Sequence, residues 1–267
     1  MRLVCDNISS MLLSIDIGNT QTAYGLFFKG DPDGSWRTAT RPEQTADELA
    51  VQMEGLLAFA GHRLSEVTGV CLASVVPAAT AATAQMCSSY MGVAPLIVGS
   101  DTKTGLTIEY DPPGAVGADR IANAVGGFSV ERRALIIVDF GTATTFDVIS
   151  AAGAYLGGAI APGVLTGAKA LFRSAARLSG VALEAPENLV GTNTGDSLKS
   201  GLIYGTAAMV DGVVAGIKAE QKTEFLVIAT GGLVDAVAPH CKSIDKVEPL
   251  LTLMGLKKIW DLNRGDG

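Results

Sequence analysis

Histidine is scarce: only His62 and His240 occur in 267 residues, and neither stands in a motif. A histidine base or a multi-histidine metal site is therefore not expected, and proton transfer has to rest on carboxylates. The four cysteines, Cys5, Cys71, Cys87 and Cys241, include no C-x-x-C pair, which argues against a zinc site and against a disulfide framework. Positive charge is also short. The 20 Lys and Arg are outnumbered by 27 Asp and Glu, for a formal net charge of −7 with no basic run, so a nucleic-acid surface is not expected. No apolar stretch approaches the roughly 18 residues that span a bilayer, and Met1–Ser10 lacks the apolar core of a signal peptide. The chain reads as soluble and cytoplasmic, without a membrane partner. A G-x-x-x-x-G-K-[ST] motif is missing too, which excludes the P-loop way of binding phosphate.

What the chain does have is glycine, 32 residues of it, and 48% hydrophobic content. The glycines are not gathered into low-complexity runs, so they point to tight turns and close approach of backbone to ligand. The most informative stretch is Leu135–Val148, LIIVDFGTATTFDV. Leu135–Val138 reads as a buried strand. The acid that follows it, Asp139, is costly there unless something positive or hydrogen-bonding meets it. Gly141 permits a tight turn, and Thr142, Thr144 and Asp147, alternating with Ala143, Phe146 and Val148, read as a return strand with one polar face. The same unit occurs near the start, where Leu12–Ile15 leads into Asp16-Ile17-Gly18-Asn19-Thr20 and the strand-like Ala23–Phe27. A single D-x-G is an ordinary turn after a strand. Two copies 139 − 16 = 123 positions apart, each with a later apolar strand (Val70–Val76, Phe225–Ala229), predict two similar α/β halves.

Between these landmarks the chain offers further elements. Residues 1–10 add neither periodicity nor a cap and read as an optional extension, followed by domains at 11–128 and 129–267. Thr45 and Glu48 form a capping box ahead of a helix with Leu49, Met53, Leu56, Leu57 and Ala60 on one face. Pro77 is expected to stop the strand begun at Gly69. Ala78–Tyr90 reads as helix and Pro95–Val98 as a short strand, while Thr107–Gly117 is a shaped loop through Pro112-Pro113-Gly114. It delivers the chain to a helix carrying Ile121, Ala124, Val125 and Phe128, with Asp119 at its start, where aspartate also serves as an ordinary N-cap. Gly157–Gly163 leads to a helix with Leu165, Ala168, Leu171, Phe172 and Ala175 inward. Asn193–Asp196 starts a long helix with Leu198, Leu202, Met209, Val213 and Ile217 inward, and Gly201, Gly205, Gly212 and Gly216 leave it a flat side suited to close packing, for instance on a second subunit. Thr230-Gly231-Gly232 closes the last strand at a place where a base or phosphate can approach the backbone.

Strand–acid–glycine–hydroxyl hairpins in two α/β halves suit Mg²⁺-nucleotide phosphates held between domains. The glycine turn brings amides and hydroxyls to phosphate oxygens, and the acid holds the metal through water. Five segments in order carry a specific likeness: Asp16–Thr20, Gly117-Ala118-Asp119-Arg120, Val138–Thr145, Gly157–Gly163 and Thr230-Gly231-Gly232. From about Met11 to Gly255 the chain resembles the type III pantothenate kinases, members of the acetate and sugar kinase, Hsp70 and actin superfamily. The resemblance implies a homodimer of two actin-like (ribonuclease H-like) domains that phosphorylates pantothenate with ATP, the first step towards coenzyme A. It also implies the roles of single residues. Asp16, Ile17, Gly18, Asn19, Thr20, Gln21, Thr22 and Ala23 match the first phosphate-binding segment, with Asp16 near Mg²⁺. Asp139 matches the ligand of a monovalent cation, K⁺ or NH₄⁺, and Thr142 matches an ATP contact. Tyr110, Gly117, Ala118, Asp119, Arg120 and Thr194 match the pantothenate pocket, with Asp119 as general base. Asp111 stands where relatives often carry asparagine, and residues 1–10 have no counterpart. Two other readings compete. One is a kinase of another small hydroxylated metabolite, since fold alone does not fix substrate. The other is a non-catalytic regulator, because the family was also described as Bvg accessory factor, a transcriptional activator.

Overall fold

The computed structural model describes residues 10–174 and 182–264; residues 1–9 of the expected extension, together with Cys5 and Ala175, lie outside them. The chain divides into two units. The first consists of the chain up to Gly105, Asp111–Gly126 and the chain from Thr252. The second consists of Leu106–Tyr110 and Gly127–Leu251.

In chain order the elements are β1 (Met11–Ile17), β2 (Gln21–Phe28), β3 (Asp31–Ala39), α1 (Ala46–Phe59), β4 (Gly69–Ser74), α2 (Pro77–Met86), β5 (Leu96–Ile97), β6 (Thr107–Ile108) and α3 (Ala118–Glu131). Then follow β7 (Leu135–Phe140), β8 (Ala143–Ile149), β9 (Ala154–Pro162), α4 (Val164–Ser174), α5 (Thr194–Gln221), β10 (Leu226–Thr230), α6 (Val234–Val237), β11 (Lys246–Val247) and α7 (Leu251–Asn263). The first sheet has the order β3-β2-β1-β4-β5 and the second β11-β10-β7-β8-β9-β6. In each, the central strand is antiparallel to the strand that follows it and parallel to the strand after the crossover. The run β9-β8-β7-β10-β11 thus repeats β3-β2-β1-β4-β5, and β6 is an addition, parallel to β9. The duplication read from two D-x-G motifs is a duplication of whole sheets. The hairpin turns are not identical: between paired residues lie Gly18–Gln21 in the first and the one-residue-shorter Gly141–Ala143 in the second.

In the first unit Leu13, Ile15 and Ile17 meet Tyr24, Leu26, Val70 and Leu72, and α1 covers this face with Leu49, Met53 and Leu57. The capping box at the start of α1 is formed, Thr45 accepting from the Glu48 amide and Glu48 accepting from the Thr45 amide. The other face is covered by α7, whose Leu253 lies over Gly25 and whose Trp260 lies over Gly69. This packing is why the last helix groups with the first unit rather than with 129–267, as the duplication alone would have it. Similarly β6 draws residues 106–110 into the second unit, and α3 passes from one unit to the next at Gly126. In the second unit Ile136, Val138, Phe140, Phe146 and Val148 form a core with Val227, Ala229 and one stripe of α5, Ile203, Ala207, Val210 and Val214.

Several local expectations change. Pro77 does not stop β4, which ends at Ser74; it opens α2 at N1, where its missing N–H costs nothing. On α4 the buried residues are Val164 and Ala168, whereas Leu165 and Leu171 are exposed. On α5 the expected stripe is only half-buried, because a neighbouring stripe with the smaller Ser200 and Ala207 sits against the sheet. Thr144 and Asp147 do not form a polar outer face of β8: both are fully buried. By length and composition α5 would also pass for a membrane span, contrary to the reading that no stretch approaches one. Its most buried stripe belongs to the core of the second unit, and its Asp211 accepts hydrogen bonds from the amides of Lys242 and Ser243, as in a docked core helix. Among the described residues Cys71, Cys87 and Cys241 are free thiols, each pushed up to about 12 by burial.

Two glycines separate packing from propensity. A Cβ on Gly255 would run into the carbonyl of Ala122, whereas one on Gly55, exposed on α1, would meet nothing within 4 Å. Gly255→Ala should lose about 1–3 kcal/mol through overpacking. Gly55→Ala should gain about 0.5–1 kcal/mol through helix propensity. Urea unfolding of the two variants measures both.

Candidate active site

In the first unit the site is built where β1 runs out. Asp16 is half-buried and pairs laterally with Ala23 on β2 and Ala73 on β4. Ile17 and Ala23 are buried in the sheet, and Asn19, Thr20 and Gln21 are exposed on the turn. The turn is closed by the Gly18 amide, which donates to the Gln21 carbonyl at 3.0 Å. Thr40, just past β3, holds the same turn from the side. Its amide donates to the Thr20 carbonyl at 3.0 Å, its hydroxyl donates to the Gly18 carbonyl at 2.7 Å, and Thr22 Oγ1 lies 2.9 Å from that hydroxyl. A water-sized cavity of about 10 Å³ adjoins these groups, lined among others by Thr22, Tyr24, Thr40 and Gln44. Burial raises the Tyr24 phenol above its ordinary pKa despite hydrogen bonds to Thr38, Thr22 and Gln52. Thr40 was not singled out from the sequence, since an isolated threonine carries no motif. Its signal was the meander β1-β2-β3, which returns the end of the third strand to the first turn.

Also in the first unit, Gly117–Arg120 opens α3. The Ile121 amide donates to the Gly117 carbonyl at 3.0 Å, so Gly117 takes the first helical bond and Asp119 lies inside the first turn rather than at the N-cap. Asp119 Oδ1 accepts from the Arg120 amide at 2.9 Å, and Oδ2 takes no hydrogen bond from the described residues. Half-buried Asp119 is thereby aimed by its own helix. Arg120 is almost completely buried.

In the second unit the equivalent strand end is more enclosed. Asp139 on β7 lies between Thr230 on β10 and Thr145 on β8, three side chains in one row on one face of the sheet. The hydroxyls of Thr145 and Thr230 are buried and have no hydrogen-bond partner among the described residues. Gly231, at φ +102°, brings the TGG turn so close that a Cβ there would strike the Asp139 carboxylate and lie 2.5 Å from the Phe140 nitrogen. The Thr142 carbonyl accepts from the Gly163 amide at 3.2 Å and from Thr166 Oγ1 at 2.6 Å, which pins the hairpin turn to the start of α4. Three of the sequence segments, those around Asp139, Gly163 and Gly231, therefore converge on one strand end. A carboxylate beside orphan hydroxyls is an all-oxygen donor set, which fits a hard cation such as K⁺ or Mg²⁺ and not a soft one. No group of three His, Cys, Asp or Glu side chains capable of holding a metal occurs among the described residues. Tyr110 lies beyond β6, its ring edge-on to Tyr155 at 6.2 Å, and Thr194 is the first residue of α5, next to the N-cap Asn193.

Thr40→Val keeps the shape of the side chain and removes the hydroxyl that holds Gly18. It should cost about 0.5–1.5 kcal/mol and speed hydrogen exchange of the Gly18 amide, while Thr40→Ser restores both; loss of neither would detach Thr40 from the turn.

Comparison with known proteins agrees with the motifs. The family model for type III pantothenate kinases matches residues 12–216. The type III pantothenate kinase of Geobacter sulfurreducens is 44% identical over 254 residues, covering 95% of this chain and 100% of that protein. That of Anaeromyxobacter dehalogenans is 46% identical with the same coverage. Among solved structures, a Campylobacter jejuni protein named as a Baf-family transcriptional activator superposes with a TM-score of 0.59 at 20% identity, over 94% of this chain and 98% of that one. The ROK hexokinase of Thermus thermophilus gives 0.52 at 14% identity, over 96% and 100%. These two likenesses speak for the actin-like fold alone. With the family model and near full-length relatives in agreement, the chain belongs to the type III pantothenate kinases.

Proposed function

We propose that the chain transfers the γ-phosphoryl group of ATP to the hydroxyl of pantothenate, giving 4′-phosphopantothenate and ADP, the entry into coenzyme A biosynthesis. The observation that carries this reading is membership of the family with every motif residue present, Asp16, Asp119, Arg120, Asp139 and Thr142 among them. Phosphoryl transfer asks a protein for positioning and charge neutralisation more than for covalent chemistry. The turn Gly18–Gln21 offers amides and hydroxyls to phosphate oxygens, and Thr142 does the same on the second hairpin. Asp16 is the group suited to a water-bridged Mg²⁺, and Asp139 with Thr145 and Thr230 to a monovalent cation. Bound there, cations would offset the negative charge of the phosphates.

The acceptor hydroxyl must lose a proton as its oxygen attacks the γ-phosphorus. Asp119 takes it, on a carboxylate held by the Arg120 amide through Oδ1 and open to substrate through Oδ2. Arg120 and Tyr110, with Gly117, Ala118 and Thr194, supply polar and aromatic contacts to pantothenate. The exposed glycines of α5, with open space over Gly201, Gly205, Gly212 and Gly216, favour a homodimer through that face. The acidic balance speaks against direct DNA binding and for a cytoplasmic metabolic enzyme.

Turnover with ATP and a panel of alcohols tests the substrate: phosphorylation of pantothenate alone supports the reading, another preferred acceptor replaces it, and no turnover at all favours a regulator. Asp119→Asn keeps an acceptor for the Arg120 amide, so Tm should stay near wild type while kcat falls by roughly 10²–10⁴. A near wild-type kcat would reduce Asp119 to an acceptor for the Arg120 amide in the first turn of α3. Rates should rise with K⁺ or NH₄⁺ and be poor in Na⁺ alone, and Asp139→Ala should abolish that dependence; equal rates in every salt would remove the cation from Asp139.

A further inference from the structure

Asp147 and Tyr155 form a buried polar pair that the roles above do not use. Both have no exposed surface. A carboxylate so far from water is costly without hydrogen bonds, and the Tyr155 hydroxyl donates to Asp147 Oδ1 at 2.6 Å, the short distance of a charge-assisted bond. The pairing depends on an irregularity between β8 and β9. From Ala143 to Val148 the two strands are in continuous register, Val148 opposite Gly157, but Ile149 then lies opposite Tyr155, so Leu156 is an extra residue. A regular strand would turn Tyr155 to the face opposite Asp147. The bulge, with Gly157 at φ +117°, turns it to the same face.

The bulge also meets the segment that carries Tyr110. The Glu109 amide donates to the Tyr155 carbonyl at 2.9 Å, and Ile108 pairs with Tyr155 across β6 and β9. The half-buried Tyr110 ring then stands edge-on to Tyr155, centroids 6.2 Å apart at 65°, and its Cδ2 lies 3.5 Å from where a Gly157 Cβ would be. Tyr110 is thus held through its backbone neighbour, its ring edge and its floor by one bulge, which is itself anchored on Asp147. We propose that Asp147 and Tyr155 are positioning residues that set the Tyr110 ring for the acceptor substrate, acting through Tyr110 and not by contact. The inference rests on the assignment of Tyr110 to the pantothenate pocket.

Steady-state kinetics on a double-mutant cycle tests it. Tyr155→Phe, which keeps the ring and removes the hydroxyl, should raise KM for pantothenate by about 3- to 100-fold, the range of coupling between contacting residues. KM for ATP and kcat at saturating pantothenate should stay within about twofold, the scatter of independent sites. Asp147→Asn, a weaker acceptor of the same shape, should move KM in the same direction and serves if Tyr155→Phe does not fold. In a Tyr110→Ala background the effect of either change should vanish. A lowered Tm with unchanged KM, or the same KM change with and without Tyr110, would overturn the proposal. If Tyr110→Ala alone leaves KM for pantothenate unchanged, the pocket assignment falls and the proposal with it. If it raises KM while Tyr155→Phe and Asp147→Asn do not, only the relay falls.

Discussion

A carboxylate at the end of a buried strand, with the chain forced to turn at once through glycine, is the constraint on which both sheets depend. The strand must be central for its apolar residues to be buried on both faces, and β1 and β7 are central in their sheets. Its end then lies between a hairpin partner on one side and a crossover strand on the other, so the acid receives neighbours from both. For Asp139 these are Thr145 and Thr230, and the TGG turn presses against it so closely that only glycine fits at 231. For Asp16 they are Ala23 and Ala73. The same topology therefore presents a hydroxyl-flanked carboxylate in one copy and an alanine-flanked one in the other.

The duplication was legible because it rests on local chemistry. D-x-G with nearby hydroxyl residues after an apolar run needs no tertiary information, and the capping box at Thr45 and the helix start at Asn193 are equally local. What could not be read depends on which of two apolar stripes packs. On α5, Leu202 and Ile203 are both apolar, and only proximity to the sheet decides that Ile203 is the buried one. Pro77 illustrates the other kind of ambiguity, since a proline three residues past a strand can mark its end or begin a helix. Thr144 and Asp147 were grouped on one face although they are three residues apart and so stand on opposite faces; β8 is buried on both, and a carboxylate there is tolerated by way of Tyr155, eight residues later across a bulge.

Of the proposed site, the motif-bearing residues were visible and their supports were not. Thr40 holds the first turn with two hydrogen bonds yet sits in no pattern, and Gly231 was read as a place where a base or phosphate approaches the backbone, whereas its lack of a side chain is also what lets the turn reach Asp139. Supports of this kind act through backbone carbonyls and excluded volume, which leave no signature in residue type.

The orphan hydroxyls sharpen the argument for a ligand at Asp139. A buried hydroxyl without a partner costs about 1–3 kcal/mol, so two beside one carboxylate would be a large fraction of the stability of a typical domain, about 5–15 kcal/mol. Replacing threonine by valine would remove that cost at unchanged shape, so retaining Thr145 and Thr230 implies a compensating interaction when the site is in use. Ser14 and Thr144 also carry unpaired buried hydroxyls, away from any such carboxylate row, and nothing in the structure explains them. The difference lies in position: among the described residues, the end of β7 is where two orphan hydroxyls flank a carboxylate on one face, an all-oxygen row suited to a hard cation.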